Sequence, residues 1–282
     1  MTFIKRFYDI RNIYGPLCIG FDPSHDVLKS WSLPVDADGL GKYCDTMLEA
    51  VHGQAGIIKP QVAFFESYGP EGMYILHDLI LKAHNLNFIV IADAKRGDIG
   101  STAKAYGEAW VSSINGFGVD ALTVNAFLGF DALIPLIHVA EAWGKGVFVV
   151  VQSSNPEGEI IQSANIKGKT LAEHLAHSIY QYNSISSVID TEVGLVGAVI
   201  GGTLGDKSKK TIEYLKNSLF LVPGIGAQGG DMASLKYQFD KESLQRIIPT
   251  ISRAISCTGP DIYVLKQTIS GFAKQAKALI QL

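Results

Sequence analysis

A chain of 282 residues, 47% hydrophobic and 18% charged with 29 glycines, is long enough for two small domains or one α/β barrel of about 250 residues, and its composition excludes disorder. The formal net charge is -3, with Lys and Arg scattered along the chain; this excludes the basic footprint of a nucleic-acid or anionic-membrane binder and leaves a small anion open. Cys18, Cys44 and Cys257 show no paired metal-ligand or redox spacing and fit the reduced thiols of a cytoplasmic protein.

The chain opens on Phe3, Ile4, Phe7, Tyr8, Ile10 and Ile13, a near-helical stripe interrupted by Lys5, Arg6, Asp9 and Arg11. The charges deny it a signal-peptide core, and no apolar run approaches the ~20 residues of a membrane span. Eight short apolar runs follow, at 17–21, 56–58, 88–92, 121–124, 147–151, 194–200, 219–222 and 247–251. Segments of helical periodicity lie between them: Leu40, Tyr43, Cys44, Met47, Leu48 and Val51; then Met73, Leu76, Ile80 and Ala83; then Ala103, Tyr106, Trp110 and Ile114. The last stripe, Ile262, Leu265, Ile269, Phe272, Ala276 and Leu279, ends the chain on a helix.

Eight strand-helix units in series predict a (β/α)8 (TIM) barrel of the α/β class, spanning 1–282 as one domain with an N-terminal helix. Continuously apolar strands are those of a parallel sheet covered on both faces. A two-domain doubly wound arrangement is the rival, but no linker marks a boundary, and strands start about every 33 residues, one βα unit. The stretch 155–169 is a polar, Gly-containing excess after strand five, expected to be a loop insertion on the catalytic face; it is either a lid or a tolerated surface insertion.

In a barrel, chemistry sits at the C-terminal ends of strands. Run three continues into Asp93, Ala94, Lys95, Arg96, Gly97 and Asp98. Asp93 and Lys95 are two apart, so an extended chain sets them side by side on one face, and Asp98 stands where the next helix begins. Lys59 closes run two and Asp22 closes run one, so three neighbouring strands aim charges at one rim. Each lysine there keeps the adjacent carboxylates ionised, and such an array can stabilise developing negative charge. A salt-bridged strand end plus a helix cap is the plainer reading of Asp93, Lys95 and Asp98 taken alone.

Residues 224–230 contain a literal G-x-G-x-x-G, but the next run offers Arg253 where a dinucleotide fold wants an acid. A donor-rich glycine loop after strand seven with an arginine after strand eight suits a phosphate instead. His174 and His177 lack partners for a metal set and read as packing or surface residues. Lys207, Lys209 and Lys210 read as a solvated helix start. Ser153 and Ser154 have no histidine and acid near them in sequence, so substrate hydrogen bonding asks less of them than a catalytic triad.

Residues 90–102 satisfy a D-x-K-x-x-D-[IV]-x-x-T core, and with 18–24 (CIGFDPS), 58–64 (IKPQVAF), 123–129 (TVNAFLG), 153–156 (SSNP) and 223–231 (PGIGAQGGD) the chain resembles the orotidine 5'-phosphate decarboxylase family, in its longer-chain branch. The resemblance implies a cofactor- and metal-independent barrel enzyme of pyrimidine synthesis. It implies Lys95 as proton donor to the C6 carbanion, Asp93 beside the departing carboxylate, and Asp22 and Lys59 on ribose hydroxyls, with Lys59 completing the charge chain. It gives Ser154 the pyrimidine edge, with Ser153 left as the alternative, and gives Gln228, Gly229, Gly230 and Arg253 the phosphate. Asp98 and Thr102 would reach into the neighbouring subunit's site of a homodimer. Two other readings stand beside it. A related barrel group, the Mg2+-dependent ketogulonate-phosphate decarboxylases and hexulose-phosphate synthases, shares D-x-K-x-x-D but carries a metal-binding acid where this chain has Lys59. A non-catalytic nucleotide-phosphate binder would have no need of Asp93, Lys95 and Asp98 together.

Overall fold

The strands do alternate once inside and outside are distinguished. Residues 18, 57, 89, 91, 121, 148, 199, 221 and 248 form one buried cluster, whereas the intervening 19, 58, 90, 122, 147, 149 and 198 belong to another, packed with the helices. Both faces are apolar, which is why the runs read as continuous in sequence. In the computed structural model, which describes residues 1–186, 192–226 and 229–281, the strands are β1 (Cys18–Phe21), β2 (Ile57–Pro60), β3 (Ile89–Arg96), β4 (Ala121–Asn125), β5 (Gly146–Gln152), β6 (Val196–Ile200), β7 (Phe220–Val222) and β8 (Ile247–Ile251). They pair in parallel and in chain order, and β1 closes on β8. This is the expected (β/α)8 barrel.

The N-terminal stripe folds as the helix Phe3–Tyr14, whose Phe3, Ile4, Phe7 and Ile10 join the barrel-interior cluster. It plugs the N-terminal mouth. A Cβ at Gly146 would lie 2.5 Å from the Phe3 ring, and one at Gly56 would lie 2.4 Å from Ile10, so the glycine that begins β5 and the glycine just before β2 admit the plug. Arg6 fixes it further. Its guanidinium donates to Asp120 Oδ1 (2.6 Å) and to the Phe88 carbonyl (2.6 Å). Asp120 is buried, and it also takes His84, Lys145 and the Val90 N–H. Burial acts to raise its carboxyl, but the His84 hydrogen bond, Lys145 and Arg6 outweigh that and hold it below the usual range. With the lower mouth sealed by apolar packing and ion pairs, the described residues leave the opposite mouth open to a ligand.

Three details depart from the sequence expectation. The helix of the third stripe is Gly100–Val111, so Ile114 lies past its end and is exposed. The stretch 155–169 is not a plain loop. It contains the helix Pro156–Gln162 and a two-stranded antiparallel hairpin, Asn165–Ile166 with Lys169–Thr170. Thr170 then starts the helix Leu171–Ile185 through a reciprocal capping box with Glu173. Lys207 and Lys210 are not simply solvated, because they pair with Glu159 (2.7 Å) and with buried Glu173 (3.3 Å) and tie this insertion to the segment after β6. The sequence shows helical periodicity over 171–188; the helix realises it as far as Ile185, and 187 and 188 lie outside the described residues. Among the described residues, no helix is long and apolar enough to cross a membrane.

Candidate active site

Inside the barrel β2, β3, β4 and β8 trade apolar for polar side chains as they rise, whereas β5, β6 and β7 keep Val150, Val199 and Leu221 at the cleft. Ile57 gives way to Lys59, Ile91 to Asp93, Ala121 to Thr123, and Ile248 to Thr250 and Ser252, so one side of the upper barrel is polar by the same period-two alternation that makes the lower barrel greasy. Lys59, Asp93, Thr250 and Ser252, together with Asp22, Gln61, Lys95, Ser153, Ser154, Asn155, Thr203, Gly224, Ile225 and Arg253, line a cleft of about 500 Å³, and Thr123 lies beneath that lining.

At its floor, Asp93 accepts from Lys59 Nζ at Oδ2 (2.6 Å) and from Lys95 Nζ at Oδ1 (2.5 Å), and Thr123 Oγ1 donates to the same Oδ1 (2.9 Å). Lys59 and Asp93 are buried, whereas the Lys95 side chain is 47% exposed towards the open cleft. Burial acts to raise the Asp93 carboxyl, yet the Lys59 and Lys95 ammoniums outweigh it and hold Asp93 well below the usual carboxylate range. Burial likewise acts to lower Lys59, and Asp93 and Asp22 outweigh it, holding Lys59 above the usual lysine range. The charges of Asp93 and Lys59 are therefore fixed by their neighbours over the whole physiological range. Cys18, at the foot of the same interior row, is a thiol pushed up to about 12 by burial and stays a packing group.

The side-by-side placement of Asp93 and Lys95 is as expected, but its cause differs. Lys95 has φ +48° rather than a strand conformation, and the pairing of β3 with β4 shifts between Ala92 and Arg96. Gly97 completes the turn away from the barrel; a Cβ there would sit 2.3 Å from the Asn125 carbonyl oxygen. Arg96, between the two, points outward to Glu66 and over the rings of Tyr106 and Trp110.

The remaining expected residues divide. Asp22 lines the cleft, and its Oδ1 is buried without a hydrogen-bond partner among the described residues, as is Ser252 Oγ beside it. Ser153 Oγ is engaged by Asn155 Oδ1 (2.6 Å) and Gln162 Nε2 (2.8 Å), whereas Ser154 lines the cleft with its hydroxyl in no hydrogen bond among the described residues. That favours Ser154. Arg253 lines the cleft, is exposed, and forms no ion pair among the described residues. Gly229 and Gly230 are not brought to the cleft lining. Their N–H groups are spent on the Gly226 and Gly224 carbonyls (2.9 and 3.2 Å), because glycines with φ +96°, +82° and +86° at 224, 226 and 229 let the loop fold back on itself. Gln228 lies outside the described residues. Asp98 accepts from the Ile99 N–H (2.8 Å), Thr102 is exposed, and neither reaches this cleft. Sequence reasoning gave no role to Thr123, Gln61, Thr203 or Ser252, and the signal was a hydroxyl or amide within a strand, for Thr123, or just past a strand's C-terminal end, for the others.

Fold and cleft together define a class: (β/α)8-barrel enzymes with an acid–base array at the C-terminal rim. Residues 15–267 match the model of the orotidine 5'-phosphate decarboxylase / HUMPS family. A Myxococcus xanthus orotidine 5'-phosphate decarboxylase is 39% identical over 277 residues, 98% of this chain and 95% of that protein. One from Salinispora tropica is 38% identical over 266 residues, 94% of this chain and 93% of the other. Among solved structures, a Streptomyces avermitilis protein solved as a candidate orotidine 5'-phosphate decarboxylase superposes with TM-score 0.92 at 35% identity, covering 100% of this chain and 96% of its own. The chain belongs to the orotidine 5'-phosphate decarboxylase / HUMPS family.

Proposed function

We propose that this carboxy-lyase converts orotidine 5'-phosphate to uridine 5'-phosphate and CO2, with Lys95 as the proton donor and no metal or organic cofactor. The observation that carries the reading is the Lys59–Asp93–Lys95 array, a buried carboxylate held ionised between two ammoniums, all three lining the cleft and Lys95 the most exposed of them. When the C6–carboxylate bond breaks, its electron pair stays on C6, in an orbital that the ring delocalises poorly. The Lys95 ammonium stabilises that charge and then delivers a proton to C6, and solvent reprotonates the amine. Asp93 sits beside the carboxylate that departs as CO2 and repels it.

Asp22 Oδ1, buried and unpartnered among the described residues, supports a ligand bearing hydroxyls at that wall, and Lys59 lies within the same charge cluster. Ser154 serves the pyrimidine edge. Arg253 at the far rim takes the phosphate, and Gln228, Gly229 and Gly230 join it by closing over the ligand, which requires their loop to open its internal bonds. The Lys59 ammonium, 2.6 Å from Asp93, opposes a divalent cation at that carboxylate, which weighs against the metal-dependent sugar-phosphate chemistry of the wider family. The reading carries with it a cytoplasmic location and a homodimer in which Asp98 and Thr102 complete the partner subunit's site.

The direct test follows the ultraviolet absorbance of orotidine 5'-phosphate with purified protein, with and without EDTA. EDTA-insensitive loss of substrate is expected, and no turnover by folded protein would defeat the proposal. Arg253→Ala should raise KM by about 10²-fold or more while lowering kcat less, because it removes a charge-assisted contact remote from the reacting carbon. An unchanged KM would remove the phosphate role from Arg253.

A further inference from the structure

We infer that Thr123 is a positioning residue for the proton donor, holding both the backbone of Lys95 and the carboxylate of Asp93 through one hydroxyl. The inference rests on the reading of Lys95 as the acid at this site.

The register carries it. β3 and β4 pair Ala92 with Leu122, and then Arg96 with Val124. Between those pairs β3 threads Asp93, Ala94 and Lys95 opposite the single residue Thr123, a bulge that breaks the ladder where the charged side chains leave it. On the other side Asp93 still pairs with Gln61 of the β2 end. A bulge leaves backbone groups without their ladder partners, and the Lys95 N–H is one of them. Thr123 Oγ1 accepts it at 3.0 Å. The hydroxyl's own proton goes to Asp93 Oδ1 at 2.9 Å, the oxygen that also receives Lys95 Nζ. One donor and one acceptor function are both satisfied, in a side chain with no exposed surface.

The conformation it holds is one that needs holding. Lys95 has φ +48°, in the left-handed region that L-residues other than Gly, Asn and Asp seldom enter, and such a residue persists only where its surroundings over-determine it. In that conformation the side chain leaves the strand towards Asp93 and the cleft. With φ relaxed to a strand value the same side chain would start from a different Cα–Cβ direction and the ammonium would lose its place beside Asp93. Thr123 is not part of the cleft lining. Its effect therefore falls on where the proton donor stands and not on how tightly substrate binds, and a displacement of about 1 Å in a reacting group costs up to 10²-fold in rate.

Thr123→Val keeps the shape and removes the hydroxyl. With orotidine 5'-phosphate, kcat is expected to fall by about 30-fold to 10²-fold with KM within about threefold of wild type. Thr123→Ser, which restores the hydroxyl, is expected to recover most of the loss. Should Thr123→Val not fold, by circular dichroism and thermal melting, the comparison of Thr123→Ser with Thr123→Ala isolates the same oxygen. A Thr123→Val enzyme with kcat within twofold of wild type overturns the inference, as does a loss confined to KM, or a Ser variant as impaired as the Val or Ala variant. If wild-type protein itself fails to decarboxylate the substrate, the reading of the site falls and this inference with it; a working wild type with an indifferent Thr123→Val overturns the inference alone.

Discussion

Lys95→Ala is expected to lower decarboxylation of orotidine 5'-phosphate by about four orders of magnitude or more and to leave a folded barrel. The kinetic part follows from losing two functions at once, the ammonium that stabilises charge at C6 and the proton that quenches it; each is commonly worth about 10²-fold or more. The stability part follows from burial. The Lys95 side chain is 47% exposed, so its ion pair is solvent-screened and contributes at most about 1 kcal/mol. Asp93 also keeps Lys59 at 2.6 Å and Thr123 at 2.9 Å after the truncation, so no buried carboxylate is orphaned. Lys59→Ala makes the contrast: it strips the buried partner from a buried carboxylate and should cost about 3 kcal/mol of stability besides activity. Thermal melts beside the absorbance assay separate the two. A Lys95→Ala enzyme within tenfold of wild-type kcat would take the proton-donor role away from Lys95.

The reasons some features were legible in sequence and others were not are physical. Strand positions could be read because a barrel buries both faces of every strand, so each registers as an unbroken apolar run such as 147–151. Asp22, Lys59 and Asp93 could be read because a charge directly after such a run has only the rim to go to. The relation of Lys95 to Asp93 came out right through the wrong geometry. Spacing of two implies a regular strand, whereas the actual placement depends on a bulge against β4, and a bulge is a property of two strands that neither sequence segment carries alone. Thr123 was invisible for the same reason. The glycines of 224–230 announced a loop able to present N–H groups, but not that those groups would bond to one another. The N-terminal stripe announced a helix, but which mouth of the barrel it seals is set by contacts of Phe3 and Ile10 with glycines far along the chain.

Mixing inactive Lys95→Ala protein with inactive Asp98→Ala protein is expected to restore about one quarter of the wild-type activity after full subunit exchange. The structure supplies the motive: Asp98 and Thr102 carry the family's signature yet stay outside the cleft of their own chain, on the loop and helix that leave β3. That loop runs against the loop leaving β4, Gly97 against the Asn125 carbonyl, and the two expose Ile99, Phe127 and Leu128 at 61%, 76% and 57%. Large apolar side chains exposed on adjoining loops are what an isologous contact with a second copy would cover. If Asp98 serves the partner subunit's site, a mixed dimer pairs the intact Lys95 of the Asp98→Ala chain with the intact Asp98 of the Lys95→Ala chain, giving one complete site and one doubly deficient one. Half of all dimers are mixed at equal input, and half of their sites are whole, hence the quarter. If Asp98 serves its own chain, every site in every dimer lacks one of the two groups and no activity returns. Verified exchange without recovery would return Asp98 to a structural place at the helix start and leave the Lys59–Asp93–Lys95 array to a single subunit.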